Sequence, residues 1–280
     1  MTPDHDLWKL LLDDCPYGDL TTEGLQIGDT AARATLTARD AMIPCALEEA
    51  ARLFVLAGAS ARVLARDGVL VEPETVLIEV EGPGRAIHAA YKVAQTLLEV
   101  LSGISTATRD IVNAARSAGH ARVCCTRKHM PGIKSWALQA IEAGGATPHR
   151  LGLSDFVLVF DQHRALLPAD ADLAAHFARL AQMYPERRVT AEANSVEEAL
   201  ALADAGAEII QLDKMSPDAV AEVVRAMSIR VPRPLVSIAG GVNATNAAAY
   251  AATGADILVT SAPYYAPPRD VKVRIKRASD

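Results

Sequence analysis

The chain has 280 residues, a formal charge of −6 at neutral pH, and apolar side chains at 50% of positions. That length exceeds the usual single domain, so two domains, or one barrel with an appendage, are expected, and the apolar share excludes a disordered chain. The acidic balance excludes chain-wide nucleic-acid binding, and no segment approaches the roughly 20 apolar residues that cross a bilayer.

The first residues carry Asp4, Asp6, Asp13 and Asp14 instead of the basic flank of a signal peptide, so a cytoplasmic location is expected. Leu7 to Leu12 reads as a short apolar helix that ends in Cys15-Pro16-Tyr17-Gly18-Asp19, where Asp19 or a following Thr caps or folds a turn. Ala34 to Arg39 alternates like a half-buried strand, and Glu48 to Ala57 is an amphipathic helix stopped by Gly58. Ala61 to Leu64, Gly68 to Val71 and Val76 to Val80 alternate as strands around turns at Asp67-Gly68 and Pro73. Together they predict a helix-plus-antiparallel-sheet domain. Arg85 to Leu101 has no breaker and predicts a long helix between domains, ended or bent by Ser102-Gly103.

Strand, loop and helix then repeat. Apolar runs at Ala121 to Thr126, Phe156 to Phe160, Arg188 to Ala193, Glu208 to Leu212, Pro234 to Ala239 and Asp256 to Thr260 are separated by helical segments such as Val196 to Ala205 and Pro217 to Met227. Parallel strands alternating with helices favour a barrel over a doubly wound sheet, because no GxGxxG follows any strand. The predicted division is 1–103 for the first domain and 104–265 for the barrel. The charged tail Asp270 to Arg277 can return to the first domain, which makes 266–280 a candidate addition to it. Cys15, Cys45, Cys124 and Cys125 show no CxxC spacing, and reduced, packed thiols are expected.

A βα-barrel places its chemistry at the C-terminal ends of its strands. The first run leads into Thr126-Arg127-Lys128-His129, the second into Asp161-Gln162-His163, the third carries Glu192, the fourth ends at Asp213-Lys214, and the fifth meets Gly240-Gly241. Arg127-Lys128-His129 is a candidate anion site, and the alternative is a solvated turn. His149-Arg150 forms a second such pair, or a loop contact. Glu192 and Asp213 can hold ribose hydroxyls or Mg²⁺ and stabilise an oxocarbenium-like centre, or else form salt bridges with neighbours. Gly240-Gly241 offers bare backbone N–H groups, with Thr260-Ser261 as a second phosphate element, although a Gly pair also suits a plain tight turn. Tyr264-Tyr265 reads as packing or as a cap on the phosphate loop.

These residues resemble the quinolinate phosphoribosyltransferase family, the type II phosphoribosyltransferases of NAD biosynthesis. The resemblance rests on Gly18-Asp19-Leu20-Thr21-Thr22, Leu101-Ser102-Gly103-Ile104-Ser105-Thr106, Thr126-Arg127-Lys128, Gly144-Gly145, His149-Arg150-Leu151-Gly152-Leu153-Ser154-Asp155 and Leu212-Asp213-Lys214-Met215-Ser216-Pro217. It implies an α/β fold, an N-terminal α+β sandwich-like domain followed by an incomplete α/β-barrel. The implied reaction takes phosphoribosyl from 5-phosphoribosyl pyrophosphate (PRPP) to a ring nitrogen, with Mg²⁺ as cofactor and release of pyrophosphate. Arg127, His149 and Arg150 would hold acceptor carboxylates, Lys128 would reach substrate or pyrophosphate, Glu192 and Asp213 would attend the ribose and the metal, and Ala239-Gly240-Gly241 would bind phosphate. A homodimer or higher homo-oligomer is implied, and neither a nucleic-acid nor a membrane partner.

The chain departs from the family pattern at Phe160, where the family has Lys, at Lys92, where it has Arg, at Pro148 and Lys214, where it has Asn, and at Ala239, where it has Ser. Phe160 and Lys92 therefore join the candidate substrate-binding set. These differences, with Thr126-Arg127-Lys128-His129, Ala146-Thr147-Pro148-His149-Arg150 and the run from Ser261 to Pro268, resemble the ModD branch associated with molybdenum-transport operons. The expected acceptor is an aromatic or anionic N-heterocycle. The alternatives are an ordinary quinolinate enzyme, a non-catalytic ligand-binding protein serving molybdate uptake, and a Schiff-base enzyme using Lys128.

Overall fold

The computed structural model describes residues 2–279, which form two compact units. One unit takes the chain up to Thr108, Met130–Gly145 and the chain from Tyr265 onward; the other takes Arg109–His129 and Ala146–Tyr264. The segment 130–145 thus groups with the N-terminal residues.

In the first unit, β1 (Ala31–Ala38), β2 (Ser60–Val63), β3 (Val76–Pro83) and β11 (Val271–Arg277) form an antiparallel sheet in the order β11-β1-β3-β2. Along β1, Ala32, Ala34 and Leu36 are buried while Ala31 and Arg33 are exposed, the period-two pattern of a half-buried strand. That inner face packs with α1 (Asp4–Asp14), α3 (Leu47–Leu56) and α4 (Gly84–Ala118) around Leu7, Phe54, Ile78 and Leu98. Asp19 caps the short α2 (Leu20–Gly24), accepting from Thr21 N at 3.0 Å. The C-terminal tail supplies the edge strand, with Leu36 opposite Val273.

Two expectations for this region fail. Gly68 to Val71 is not a strand; a single bridge links Val71 to Met42, and Gly68 turns at φ +76°. Helix α4 does not end at Ser102-Gly103 but runs 35 residues to Ala118. The small residues there serve close approach, since a Cβ on Gly103 would lie 2.4 Å from Pro267 O. Thr106 Oγ1 accepts from Ile43 N at 2.9 Å and Ser102 Oγ from Cys45 N at 3.3 Å, so the hydroxyls fasten a neighbouring loop to an unbroken helix.

The second unit is a curled parallel sheet of β4 (Arg122–Cys125), β5 (Thr147–Pro148), β6 (Val157–Val159), β7 (Val189–Ala193), β8 (Ile209–Asp213), β9 (Leu235–Ala239) and β10 (Ile257–Thr260). Its order, β5-β4-β10-β9-β8-β7-β6, follows the chain around a barrel left open between β5 and β6. The incomplete barrel expected from the family resemblance is therefore present. Six strands coincide with the apolar runs; the two-residue β5 carries no run long enough to announce it. Alternate residues of β8 and β9, Ile210, Leu212, Val236 and Ile238, are fully buried. Outside the strands lie α7 (Leu173–Met183), α8 (Val196–Asp204), α9 (Pro217–Ser228) and α10 (Ala247–Ala252). Among the described residues no helix is long and apolar enough to cross a membrane.

Candidate functional site

Because all seven strands are parallel, their C-terminal ends share one rim. Registers align them: Cys125 pairs with Thr260 and Pro148, Val259 with Ala239, Ala239 with Asp213, and Leu212 with Ala193. The residues that leave these ends are Arg127-Lys128, His149-Arg150, Phe160, Glu192, Asp213, Gly240-Gly241 and Ser261. The cations that follow β4 and the carboxylates of β7 and β8 thus lie at the same end of the strands.

The carboxylate side is tightly connected. Gln211 Nε2 donates to Glu192 Oε2 at 3.0 Å, and Lys214 Nζ donates to Asp213 Oδ2 at 2.8 Å. Burial raises the Glu192 pKa; the Gln211 hydrogen bond opposes this, the charges of Asp213 and Asp161 reinforce it, and Lys214 offsets part. The Lys214 pKa is raised by its hydrogen bond to Asp213. Arg164, in the short helix α6 (Asp161–Arg164), pairs with Asp161, donates to Glu198 Oε1 at 2.6 Å, and donates to the main-chain oxygen of Glu192 at 3.0 Å. Asn194 Nδ2 donates to Asp161 Oδ2 at 3.0 Å.

On the opposite flank, Arg150 is half-buried, and its pKa is lowered by burial and by Arg127. Its guanidinium lies 5.4 Å from the Phe160 ring centroid, a cation–π contact, and Phe160 stacks with His163 at 5.7 Å. His149 is pushed down to about 4 by burial and by Arg150, so it is neutral at physiological pH. The loop across the barrel opening is held by Asp155, which accepts from Leu151 N and Gly152 N at 2.8 Å each.

The β9 turn supplies two glycines at φ +87° and +84°, a conformation that bulky residues avoid. Gly241 O accepts from Asn243 Nδ2 at 3.1 Å and Asn246 Nδ2 at 3.0 Å, which fixes the loop. Ala239 is buried and lends its carbonyl to Lys214 N at 2.8 Å. The Thr260 hydroxyl is engaged on both sides, donating to Val242 O at 2.6 Å and accepting from Ala262 N at 3.0 Å, so it shapes the loop and offers a ligand little. Tyr264 is buried with its hydroxyl donating to Thr126 O at 2.9 Å, whereas Tyr265 is exposed, so packing describes Tyr264 alone. Burial pushes the Cys125 thiol up to about 12, and all four cysteines are free.

Lys92 belongs to the first unit, where its Nζ donates to Gln95 Oε1 at 2.8 Å beside the Tyr91 ring. Three cluster members escape a reading of the sequence: Arg164, Asn194 and Gln211. Gln211 left a signal, a long polar side chain amid the apolar run Ile209-Ile210-Gln211-Leu212. Arg164 left a weaker one, its i,i+3 spacing from Asp161.

Residues 19–102 match the family model "Quinolinate phosphoribosyl transferase, N-terminal domain", and residues 104–274 match its C-terminal counterpart. The protein named "Putative pyrophosphorylase ModD" in Rhodobacter capsulatus is 46% identical over 88% of this chain and 94% of its own length. The protein of that name in Pasteurella multocida is 34% identical over 98% of both chains. The nicotinate-nucleotide pyrophosphorylase structure from Francisella tularensis superposes with a TM-score of 0.89 over 99% of this chain and 98% of that one, at 22% identity, and shows the same fold. Fold and matched domains define a phosphoribosyltransferase, an enzyme of pentosyl transfer. The chain belongs to the quinolinate phosphoribosyl transferase family, as a pyrophosphorylase similar to ModD.

Proposed function

We propose that the barrel rim takes the phosphoribosyl group of PRPP to a ring nitrogen of an aromatic or anionic heterocycle and releases pyrophosphate. One observation carries this reading: Arg150 is half-buried beside Arg127, and burial and the Arg127 charge lower its pKa more than Asp155 raises it. A partly desolvated cation next to a like charge favours an anion, and guanidinium forks match carboxylate and phosphate. Lys128 adds a point charge for pyrophosphate, and His149, being neutral, donates or accepts without adding charge. Glu192 and Asp213 face the ribose carbon, where positive charge develops as the pyrophosphate bond stretches. The backbone N–H groups of Gly240 and Gly241 and the turn at Ser261 receive the 5-phosphate.

The carboxylate pair also fits Mg²⁺. Mg²⁺ takes oxygen ligands and is commonly held by one or two carboxylates completed by substrate phosphates. Among the described residues no three His, Cys, Asp or Glu side chains form a complete protein cage, consistent with that shared mode. Burial, reinforced by the charges of Asp213 and Asp161, raises the Glu192 pKa, and a dication would favour the ionised carboxylate. Bound Mg²⁺ would neutralise charge on the leaving pyrophosphate. The working form is a cytoplasmic homo-oligomer, to be checked by light scattering and fractionation.

The deciding assay follows pyrophosphate release from PRPP and Mg²⁺ against a panel of N-heterocycles that includes quinolinate. Release with at least one acceptor is expected, and silence from folded protein across the panel contradicts the reading. Release with quinolinate alone, together with rescue of a strain lacking that step, would identify the carboxylating reaction.

A further inference from the structure

Below the rim, three adjacent strands of the barrel carry polar side chains on the face that bears Glu192. Glu192, Gln211 and Ser237 are register partners across β7, β8 and β9, and Thr190 precedes Glu192 by two residues, on the same face. Gln211 is 4% exposed, Ser237 1% and Thr190 0%. The amide of Gln211 gives its N–H to Glu192, which turns its oxygen away from the carboxylate. That oxygen, Ser237 Oγ and Thr190 Oγ1 are fully buried and have no hydrogen-bond partner among the described residues.

Apolar side chains would fill this interior without leaving polar atoms unmatched, so a polar trio on neighbouring strands calls for a cause. Buried water, which makes about three hydrogen bonds to such groups, supplies one. We propose that Gln211 is a positioning residue for Glu192 and that its oxygen, with the Ser237 and Thr190 hydroxyls, holds an internal water beneath the carboxylate pair. The water donates to Gln211 Oε1 and exchanges hydrogen bonds with the hydroxyls, so the amide keeps its N–H on Glu192. The water-backed amide thereby holds Glu192 aimed at the rim. Its use in catalysis rests on the proposed phosphoribosyl transfer; its geometry does not.

The test is a high-resolution crystal structure of the unmodified protein and of Gln211→Met, which keeps the volume and removes the donor. Water within hydrogen-bond distance of Gln211 Oε1 and of Ser237 or Thr190 in the unmodified protein, and a Glu192 carboxylate turned from its place in the variant, are expected. A dry interior, or a Glu192 carboxylate unmoved in Gln211→Met, overturns the proposal. If that variant does not fold, the structure of the unmodified protein decides: water on Gln211 Oε1 supports the proposal, and a dry interior with the amide turned off Glu192 overturns it. In the enzyme, Gln211→Met is expected to lower kcat for PRPP turnover at least ~10-fold with little change in KM. Failure to turn over PRPP at all would remove the proposed function and leave the crystallographic result standing.

Discussion

Gly240 sits against Asp213 so closely that a Cβ on residue 240 would lie 2.7 Å from Asp213 Oδ1 and 2.5 Å from Lys214 Cγ. Both flanks of the contact use left-handed backbone, φ +87° at Gly240 and +56° at Lys214, and Lys214 N donates to Ala239 O at 2.8 Å. The glycine therefore lets the proposed phosphate loop reach the carboxylate. Gly240→Ala is expected to cost about 1–3 kcal/mol in stability, measured by urea unfolding, and to weaken PRPP binding at least ~10-fold. Wild-type stability with wild-type binding would show that the contact is incidental.

His149 gives a pH signature. Its folded pKa of about 4 lies below the ordinary 6.5, so the neutral ring stabilises the fold fully above about pH 6.5. As pH falls from there toward 4, the unfolded chain takes up a proton that the folded chain refuses, and about 3 kcal/mol is lost over the window. His149→Gln should flatten the wild-type-minus-variant stability difference across that range. A ring titrating near pH 6.5 by NMR would contradict the assignment.

Arg164 joins α6 to the end of β7 through Asp161, Glu198 and the Glu192 carbonyl, with only 13% of its side chain exposed. Arg164→Met removes the ion-pair partner of two partly exposed carboxylates, Asp161 and Glu198, and a donor to the Glu192 carbonyl. A loss of about 2–3 kcal/mol is expected in chemical denaturation, together with a weaker Mg²⁺ dependence of PRPP binding. A variant as stable as the parent would mean that water replaces all three contacts.

Gly103 separates two rules. Helix propensity alone predicts that Gly103→Ala stabilises by up to about 1 kcal/mol. The approach of Pro267 O within 2.4 Å of the added Cβ predicts a loss instead, read as a lower unfolding temperature.

The same contact shows where a sequence stops being legible. Six barrel strands are readable because each is an apolar run bounded by polar loops, and their ends point to Arg127, Glu192 and Asp213. Ser102-Gly103 misleads, because local propensity marks a helix end whereas the residues answer to Pro267 and to the loop at Ile43, distant in the chain. Gly68 to Val71 alternates like a strand but finds only one bridging partner. The β5 pair is too short to carry periodicity. Arg164 and Gln211 become visible only once β7 and β8 bring Glu192 beside them, since neither stands at a motif.

The most direct measurement is calorimetric binding of PRPP with Mg²⁺ to the unmodified protein, to Arg127→Ala/Lys128→Ala and to Glu192→Gln/Asp213→Asn. Saturable binding by the unmodified protein is predicted, weakened at least ~100-fold in each double variant, as expected for the loss of two charge-assisted contacts. No binding by the folded unmodified protein, or equal binding by all three, would contradict a sugar-phosphate site on this rim.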